Sequence, residues 1–457
     1  MTVELARSWL DLLRAGWLGA LYRRILPLPV RESIQSQRLR RSRARYAFPR
    51  TPAWTRDVSI IDDTAMRVPA SGAGVNVVGY LRAQFGLGES ARNYARALRA
   101  AGVPVALVDI DLSLPHARDE RSLDEYIGSS LPHPVTLLFV NPDYLQQALV
   151  KLGHPHKRCG YLIGCWFWEL ERLPLEWRDS LSQVDEVLVA TAFIEAAVRE
   201  ASTKPILRVP LPLPAMRDSG LQRCDFGIDS DAFVFLFSFD FASWIDRKNP
   251  MAVIRAFRHA FPAGRNDVLL VIKSSNGYRL PHWFRELVFE AGNDPRVLLR
   301  DEVIDKVHVT ALQRCADAYV SLHRAEGFGL GMAESMAMGK PVLATGWSGN
   351  LEFMDAECAG LIDYSLVPVP EAAYPGSAGQ RWAEPDEEHA AHWMQRLADD
   401  RVFAKELGER GRDRVREVLS AETVAGQLRA RLYEIHEKLA GTAQRIAVND
   451  SAQGGMK

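Results

Sequence analysis

Cysteine is scarce and scattered in this sequence. The five residues, Cys159, Cys165, Cys224, Cys315 and Cys358, are odd in number and widely spread. No pair has the spacing of a zinc site or a CxxC redox motif, which leaves reduced, mostly buried thiols of a cytosolic protein. Net charge is also lacking: 56 basic residues face 57 acidic ones, a balance of -1, so global steering toward nucleic acid is excluded. No apolar run approaches the roughly 18 residues of a transmembrane helix. The N-terminus has no uninterrupted apolar run after a basic start, so no signal peptide is expected. What remains is ordinary for a soluble globular protein, 47% hydrophobic and 25% charged. The 457 residues suffice for two or three domains with cores of their own.

Residues 1–26 have the apolar spacing of a helix, with Trp9 and Trp17 among the periodic positions, until Pro27 and Pro29 stop it. An arginine-rich stretch follows, from Arg31 to Arg50. Such a segment suits an anionic membrane surface; a helix packed on the protein body, followed by a solvated basic linker, accounts for the same residues. The expectation is a helical and basic extension over 1–60, with peripheral membrane contact through residues 1–50 as one alternative. The location is cytoplasmic, with attachment at the inner face of the membrane as the variant.

A linker composition over 60–74 ends in Pro69-Ala70-Ser71-Gly72-Ala73-Gly74. Short apolar runs then alternate with helical segments, the pattern of a parallel sheet covered by helices. Strands are expected at Val75–Tyr80, Val105–Val108, Thr136–Val140, Arg158–Ile163, Glu186–Val189 and Ile206–Val209. Gly86-Leu87-Gly88 reads as a turn before a helix over Glu89–Ala101. Pro210, Pro212 and Pro214 mark a restricted, extended connection. A second α/β set begins at Phe233–Phe239, and three helical segments close the chain. The fold class is therefore α/β, with two Rossmann-like domains over 75–210 and 215–420. A C-terminal helix over 421–440 has the option of packing back on the first domain. Open α/β sheets bind ligands at the carboxyl ends of their strands, which places a site in the cleft between two such domains.

Four constellations carry chemistry. The strongest is an apolar strand over Ala318–Leu322 running into Glu326-Gly327-Phe328-Gly329-Leu330-Gly331 and then a helix with Glu334 in its first turn. Three glycines in five positions let a ligand approach the backbone, and a helix start offers free N–H groups to phosphate or hydroxyl. Carboxylates at Glu326 and Glu334 suit sugar and ribose hydroxyls; helix capping by Glu334 and simple exposure of Glu326 are the alternatives. The second is Ser238-Phe239-Asp240 with Arg247-Lys248 before a helix begun by Pro250. A basic pair at a strand's carboxyl end can hold a pyrophosphate, or it can be a solvated pair. Lys273 ends the next strand and is a further phosphate candidate. The third is Gly86-Leu87-Gly88-Glu89 with Arg92 one turn on. Here Arg92 is a ligand contact or a salt-bridge partner. The fourth is Trp166-Phe167-Trp168-Glu169, where aromatic rings beside a carboxylate suit a sugar face and equally suit the core.

Glu326, seven residues, then Glu334, followed by Ser335-Met336-Ala337-Met338-Gly339-Lys340-Pro341-Val342 and by Ser348-Gly349-Asn350-Leu351-Glu352, resembles the retaining glycosyltransferases of the GT-B superfamily, family 4. The likeness spans about 75–440, and Gly86-Leu87-Gly88-Glu89 with Arg92 resembles a subgroup linked to bacterial polysaccharide assembly. The resemblance implies a two-domain fold and transfer of a sugar from a nucleoside diphosphate sugar to a saccharide or lipid-linked acceptor, with retention. It implies the nucleotide sugar as co-substrate, no permanently bound cofactor, no metal and no nucleic acid. Glu326 would contact the donor sugar, Glu334 the ribose, loop amides around Phe328, Gly329 and Leu330 the sugar or phosphate, and Lys248 the leaving diphosphate. Arg247 would stand in for an arginine the family carries at the strand end, where this chain has Phe239 or Asp240. Glu169 and Trp168 would face the acceptor. Many relatives place a histidine in the first domain; His133, His154 and His156 lie in loop contexts and fit no such role. An epimerase of the same fold, or a non-catalytic nucleotide-sugar-binding protein, are the rival expectations.

Overall fold

The computed structural model describes residues 73–454 apart from 115, 154–159, 229, 230 and 372, and Val30 ahead of them. The helical and basic extension over 1–60 lies outside the described residues, as do Cys159, His154 and His156. Among the described residues no helix is long and apolar enough to cross a membrane.

Seven parallel strands build the first sheet: β1 (Val75–Gly79), β2 (Val105–Asp109), β3 (Ile127–Gly128), β4 (Val135–Phe139), β5 (Tyr161–Cys165), β6 (Glu186–Val189) and β7 (Ile206–Arg208). Their order is β3-β2-β1-β4-β5-β6-β7. β1, β4 and β5 are buried along their whole length, which explains why they read as continuous apolar runs rather than alternating ones. The second sheet has β8 (Phe233–Asp240), β9 (Val268–Ser275), β10 (Val297–Asp301), β11 (Ala318–Ser321), β12 (Val342–Thr345) and β13 (Gly360–Ile362), ordered β10-β9-β8-β11-β12-β13. In both sheets the winding reverses beside the first strand, between β1 and β4 and between β8 and β11. Chains leaving the carboxyl ends of β8 and β11 diverge there, and the crevice between them is where such sheets take ligands.

The phenylalanines of β8 make the second core. Phe233 and Phe235 pack on each other at 4.9 Å and Phe237 stacks on Phe239 at 5.5 Å, over the helix Pro250–Ala260. Burying a ring of this size stabilises by roughly 1.5–3 kcal/mol, so this strand is firmly seated and its carboxyl end is a rigid platform.

Two passages join the domains side by side. The proline-rich segment leads out, and Leu213 N–H donates to Leu419 O at 2.9 Å where the chain returns. The final helix, Ala421–Gly454, then lies on the first domain against helix Gly86–Ala100. Val424, Leu428, Leu432 and Ile435 enter that core, Arg431 pairs with buried Glu186 at 2.8 Å, and His436 Nε2 meets Gly74 O at 2.9 Å.

One sequence expectation needs correction here, and one element was not expected. Gly86-Leu87-Gly88 is the first turn of a helix beginning at Gly86, with Phe85 before it in extended conformation. Glycine's poor helix propensity is overridden because a Cβ on Gly88 would lie 2.6 Å from Ala83 O and 2.7 Å from Tyr80 O. Also unexpected is an antiparallel hairpin of β14 (Tyr364–Pro368) and β15 (Arg381–Pro385), outside both sheets.

Candidate functional site

β8 ends at Asp240, whose carboxylate accepts from Ala242 N–H and starts a tight turn. A one-turn helix, Ile245–Lys248, follows and stops at Asn249 in the left-handed region, with φ 53°. This places Arg247 and Lys248 in the crevice. From the other side of the switch point, β11 runs through His323 to Glu326. Ser348 Oγ accepts from Glu326 N–H at 2.8 Å and donates to Glu326 O at 3.0 Å, fixing the loop on both sides.

The three side chains meet. Lys248 Nζ donates to Glu326 Oε1, and Arg247 Nη1 lies 3.1 Å from Glu326 Oε2. Arg247 is also anchored by Ala325 O at 2.8 Å and is only 5% exposed. Burial alone would push the Glu326 carboxyl up, but Lys248 and Arg247 together hold it down at about 2. Burial pulls the Lys248 ammonium below its usual range, against the opposing pull of Glu326. The site is a carboxylate between two cations in a poorly hydrated crevice, where charges act over short distances with little screening.

Gly329, at φ 93°, caps the helix Leu330–Ala337, whose first residues share a cavity wall with Glu326. A cavity of about 80 Å³ lies there, bounded by Ser238, Lys248, Glu326, Gly329, Leu330 and Gly331, among others. Ser238 Oγ and Tyr319 OH are 2.9 Å apart on its wall. A Cβ on Gly331 would come 2.7 Å from that Tyr319 hydroxyl. Gly327 O accepts from Thr191 Oγ1 of the first domain at 3.2 Å, and Phe328 turns inward to pack on Phe353 at 5.1 Å.

Glu334 is 5% exposed and takes a bond from Lys306, and one from Gln313 Nε2 at 3.3 Å. Lys306, from the helix after β10, was not among the residues singled out from sequence. Burial lowers its ammonium, but Glu334 and Glu89 raise it further, so the net shift is upward. Lys306 therefore pairs with the second-domain carboxylate and feels the charge of Glu89, which stands in the first turn of the first-domain helix Gly86–Ala100. Glu89 itself is opposed by burial and drawn down by Arg92 and Lys306 to about 2.

Arg92 is 3% exposed and fully engaged within the first domain. Its guanidinium donates to Leu81 O and Ala83 O, both at 2.9 Å, and pairs with Glu89 at 2.6 Å. Of the two roles left open for it, salt-bridge partner is the one observed. Trp168 follows the core alternative open for it: the residue is 3% exposed, its ring packs on Trp177 at 4.8 Å and its indole N–H donates to Arg172 O. Glu169 does reach the cleft, 3.8 Å from Arg247 Nη2. Lys273 lies outside the cavity wall, opposite Ser238 in the β8–β9 register, among the charges of Asp240, Glu302 and Asp301. Burial lowers its ammonium.

Two further contacts carried no clear sequence signal. Glu352 accepts from Ala192 N–H at 2.7 Å, capping a first-domain helix from the second domain. His116 stacks on Phe85 at 4.2 Å and faces Asp240 and Arg279 across the cleft; burial brings its imidazole down to about 4 despite the pull of Asp240. Among the described residues no three His, Cys, Asp or Glu side chains are grouped to hold a metal ion.

Solved structures with this fold include sucrose-phosphate synthase of Thermosynechococcus elongatus, superposing over 81% of this chain and 100% of that one with TM-score 0.57 and 17% identity. Anabaena HepE, with UDP and glucose bound, superposes over 79% and 99% with TM-score 0.57 and 13% identity. The fold is GT-B. Within the GT-B chain, residues 233–373 match the family described as glycosyl transferases group 1. That stretch covers the second sheet from β8 onward, including Lys248, Glu326 and Glu334. A 197-residue portion is 29% identical to a trehalose synthase of Rubrobacter xylanophilus. The match spans 42% of this chain and 41% of that relative's length.

Proposed function

We propose that this protein is a retaining glycosyltransferase that moves a sugar from a nucleoside diphosphate sugar to a hydroxyl of a saccharide or lipid-linked acceptor. One observation carries the reading: Arg247, Lys248 and Glu326 converge at the switch point of the second sheet, beside the start of helix Leu330–Ala337. That is the chemistry a sugar diphosphate requires, cations and N–H donors for the phosphates and a carboxylate for the sugar hydroxyls. A diphosphate brought to Arg247 and Lys248 competes with Glu326 for them. Once displaced, Glu326 accepts from the donor sugar. The two cations then stabilise the charge that develops on the departing diphosphate, and Glu334 takes the ribose hydroxyls with Lys306 behind it. Retention follows from attack on the face the leaving group departs from, with no enzyme nucleophile assigned.

The cavity of about 80 Å³ is small beside the roughly 300–1,000 Å³ of ligand pockets. Donor entry on this proposal parts the two domains, and closure excludes water from the reaction.

Titration calorimetry with UDP, GDP, dTDP and ADP identifies the nucleotide, UDP first because HepE was crystallised with it. Transfer is then assayed with the matching sugar nucleotides over an acceptor panel. Glu326→Gln and Lys248→Ala should each abolish transfer in a folded protein; wild-type turnover by either would sink the site assignment. Conversion of the donor to an epimer without acceptor would favour the epimerase instead.

A further inference from the structure

The β14–β15 hairpin and the loop inside it, residues 364–385, belong to neither sheet, yet they touch both halves of the site. Their root is on the glutamate loop: Arg324 Nε and Nη2 pair with Glu384 at 2.6 and 2.9 Å, and Ala383 N–H donates to Arg324 O at 3.0 Å. Their tip is on the first domain. Gln380 makes a reciprocal pair with the Arg172 backbone, accepting from its N–H at 2.8 Å and donating to its carbonyl at 2.9 Å. Gly376, at φ 64°, lies so close to Pro174 that a Cβ would be 2.9 Å from its ring. Between root and tip stands Tyr374, 7% exposed, its ring against Trp168 at 5.5 Å and Trp244 at 5.7 Å. Its hydroxyl donates to Glu169 Oε2, while Glu169 Oε1 faces Arg247.

We propose that this hairpin is an interdomain strap and that Tyr374 is a positioning residue, whose hydroxyl holds Glu169 of the first domain against Arg247 of the second. Two arguments carry it. Arg247 has a carboxylate on each side, Glu326 from its own domain and Glu169 from the other, so Glu169 sets how much of the guanidinium's charge is left for a phosphate. Glu169 has a half-buried, charged side chain on a loop, and a hydroxyl donor at Tyr374 is what selects its orientation; a charge-assisted bond of this kind is about twice as strong as a neutral one. The strap thereby ties acceptor-side geometry to the leaving-group cation. Because its root is Arg324, two residues before Glu326, movement of either domain is felt at the same loop.

The kinetic part rests on the proposed glycosyltransferase reaction, and the physical part does not. Tyr374→Phe keeps the ring between its tryptophans and removes one hydroxyl. It should lower kcat about tenfold, the effect of losing one bond to a charged group, with donor KM within about twofold and a larger share of donor lost to hydrolysis. Glu169→Gln should do the same, and the double variant should be no worse than either single one, because both changes break one connection. Unchanged kcat in Tyr374→Phe, or additive losses in the pair, would overturn the positioning role. Hydrogen exchange on the full chain supplies the second measurement: Tyr374→Phe and Gln380→Ala should speed amide exchange over 168–174 and leave β5 protected. Should the wild-type chain turn over no donor, the proposed function falls while the strap is still judged by exchange, and unaltered protection of 168–174 in both variants would remove it.

Discussion

A carboxylate wedged between two buried cations makes the choice of replacement decisive at Glu326. Alanine there leaves Arg247 and Lys248 facing each other in a crevice with little water, a change that costs about 3–5 kcal/mol. Glutamine keeps the shape and an acceptor oxygen. We expect Glu326→Gln to lose at least about 100-fold in kcat/KM with a smaller drop in melting temperature than Glu326→Ala; equal melting of the two variants would refute the buried-triad account. Acid should act on the same groups. Glu326 and Glu89 fall from an ordinary value of 4.5 to about 2 in the folded chain. Depressed carboxylates stabilise the fold above pH 4.5, and that contribution disappears as pH falls from about 4.5 toward 2. Urea unfolding at stepped pH should show this loss, and Glu89→Gln should flatten it. Glu326, Glu334 and Lys248 were legible because they sit beside glycines and strand ends that restrict the local backbone. Lys306 was not, since its partners come from elements distant in sequence and nothing local marks it; Glu352 stood in the resembled motif, but its partner Ala192 did not show.

Individual elements depend on glycines that meet other backbone. A methyl group on Gly349 would strike Gly327 and lie 2.7 Å from Glu326 O, and neither atom can rotate away. Gly349→Ala should therefore destabilise by roughly 1–3 kcal/mol, the usual cost of overpacking, and weaken nucleotide binding together with it; a variant with native melting and native affinity would contradict the packing described. Long buried strands such as β8 were readable as apolar runs, whereas β3, with two residues, is too short to leave a pattern. The β14–β15 hairpin escaped notice for another reason: β14 is largely exposed and the hairpin's contacts are divided between the two domains. Helix Gly86–Ala100 was misread at its start because propensity favours a turn at two glycines, while the neighbouring carbonyls after β1 admit no larger residue.

For the whole molecule, the last helix joins the first domain to the end of the chain. Glu186 is 2% exposed on its side chain and depends on Arg431. Arg431→Met should leave that carboxylate buried with the Tyr161 hydroxyl as donor but no cation, at a cost of about 3–5 kcal/mol, and lower the first transition in calorimetry; a transition unmoved within error would mean the helix contributes little to the first domain. The alternating α/β order made the two-sheet architecture readable from end to end, and the cleft followed from it. Beyond the option of a returning C-terminal helix, how the halves are fastened was not readable, because Glu352, the strap and the Arg431 pair act between segments far apart in sequence. The returning helix has one more consequence, and it concerns time. The first domain leaves the ribosome roughly 200 residues before Leu428, Leu432 and Ile435 are made. At about 5–20 residues per second, its sheet waits on the order of 10–40 s with an apolar face still uncovered. A chaperone that binds nascent apolar surface would find its target there, and a stop codon just before the final helix would leave that face open permanently.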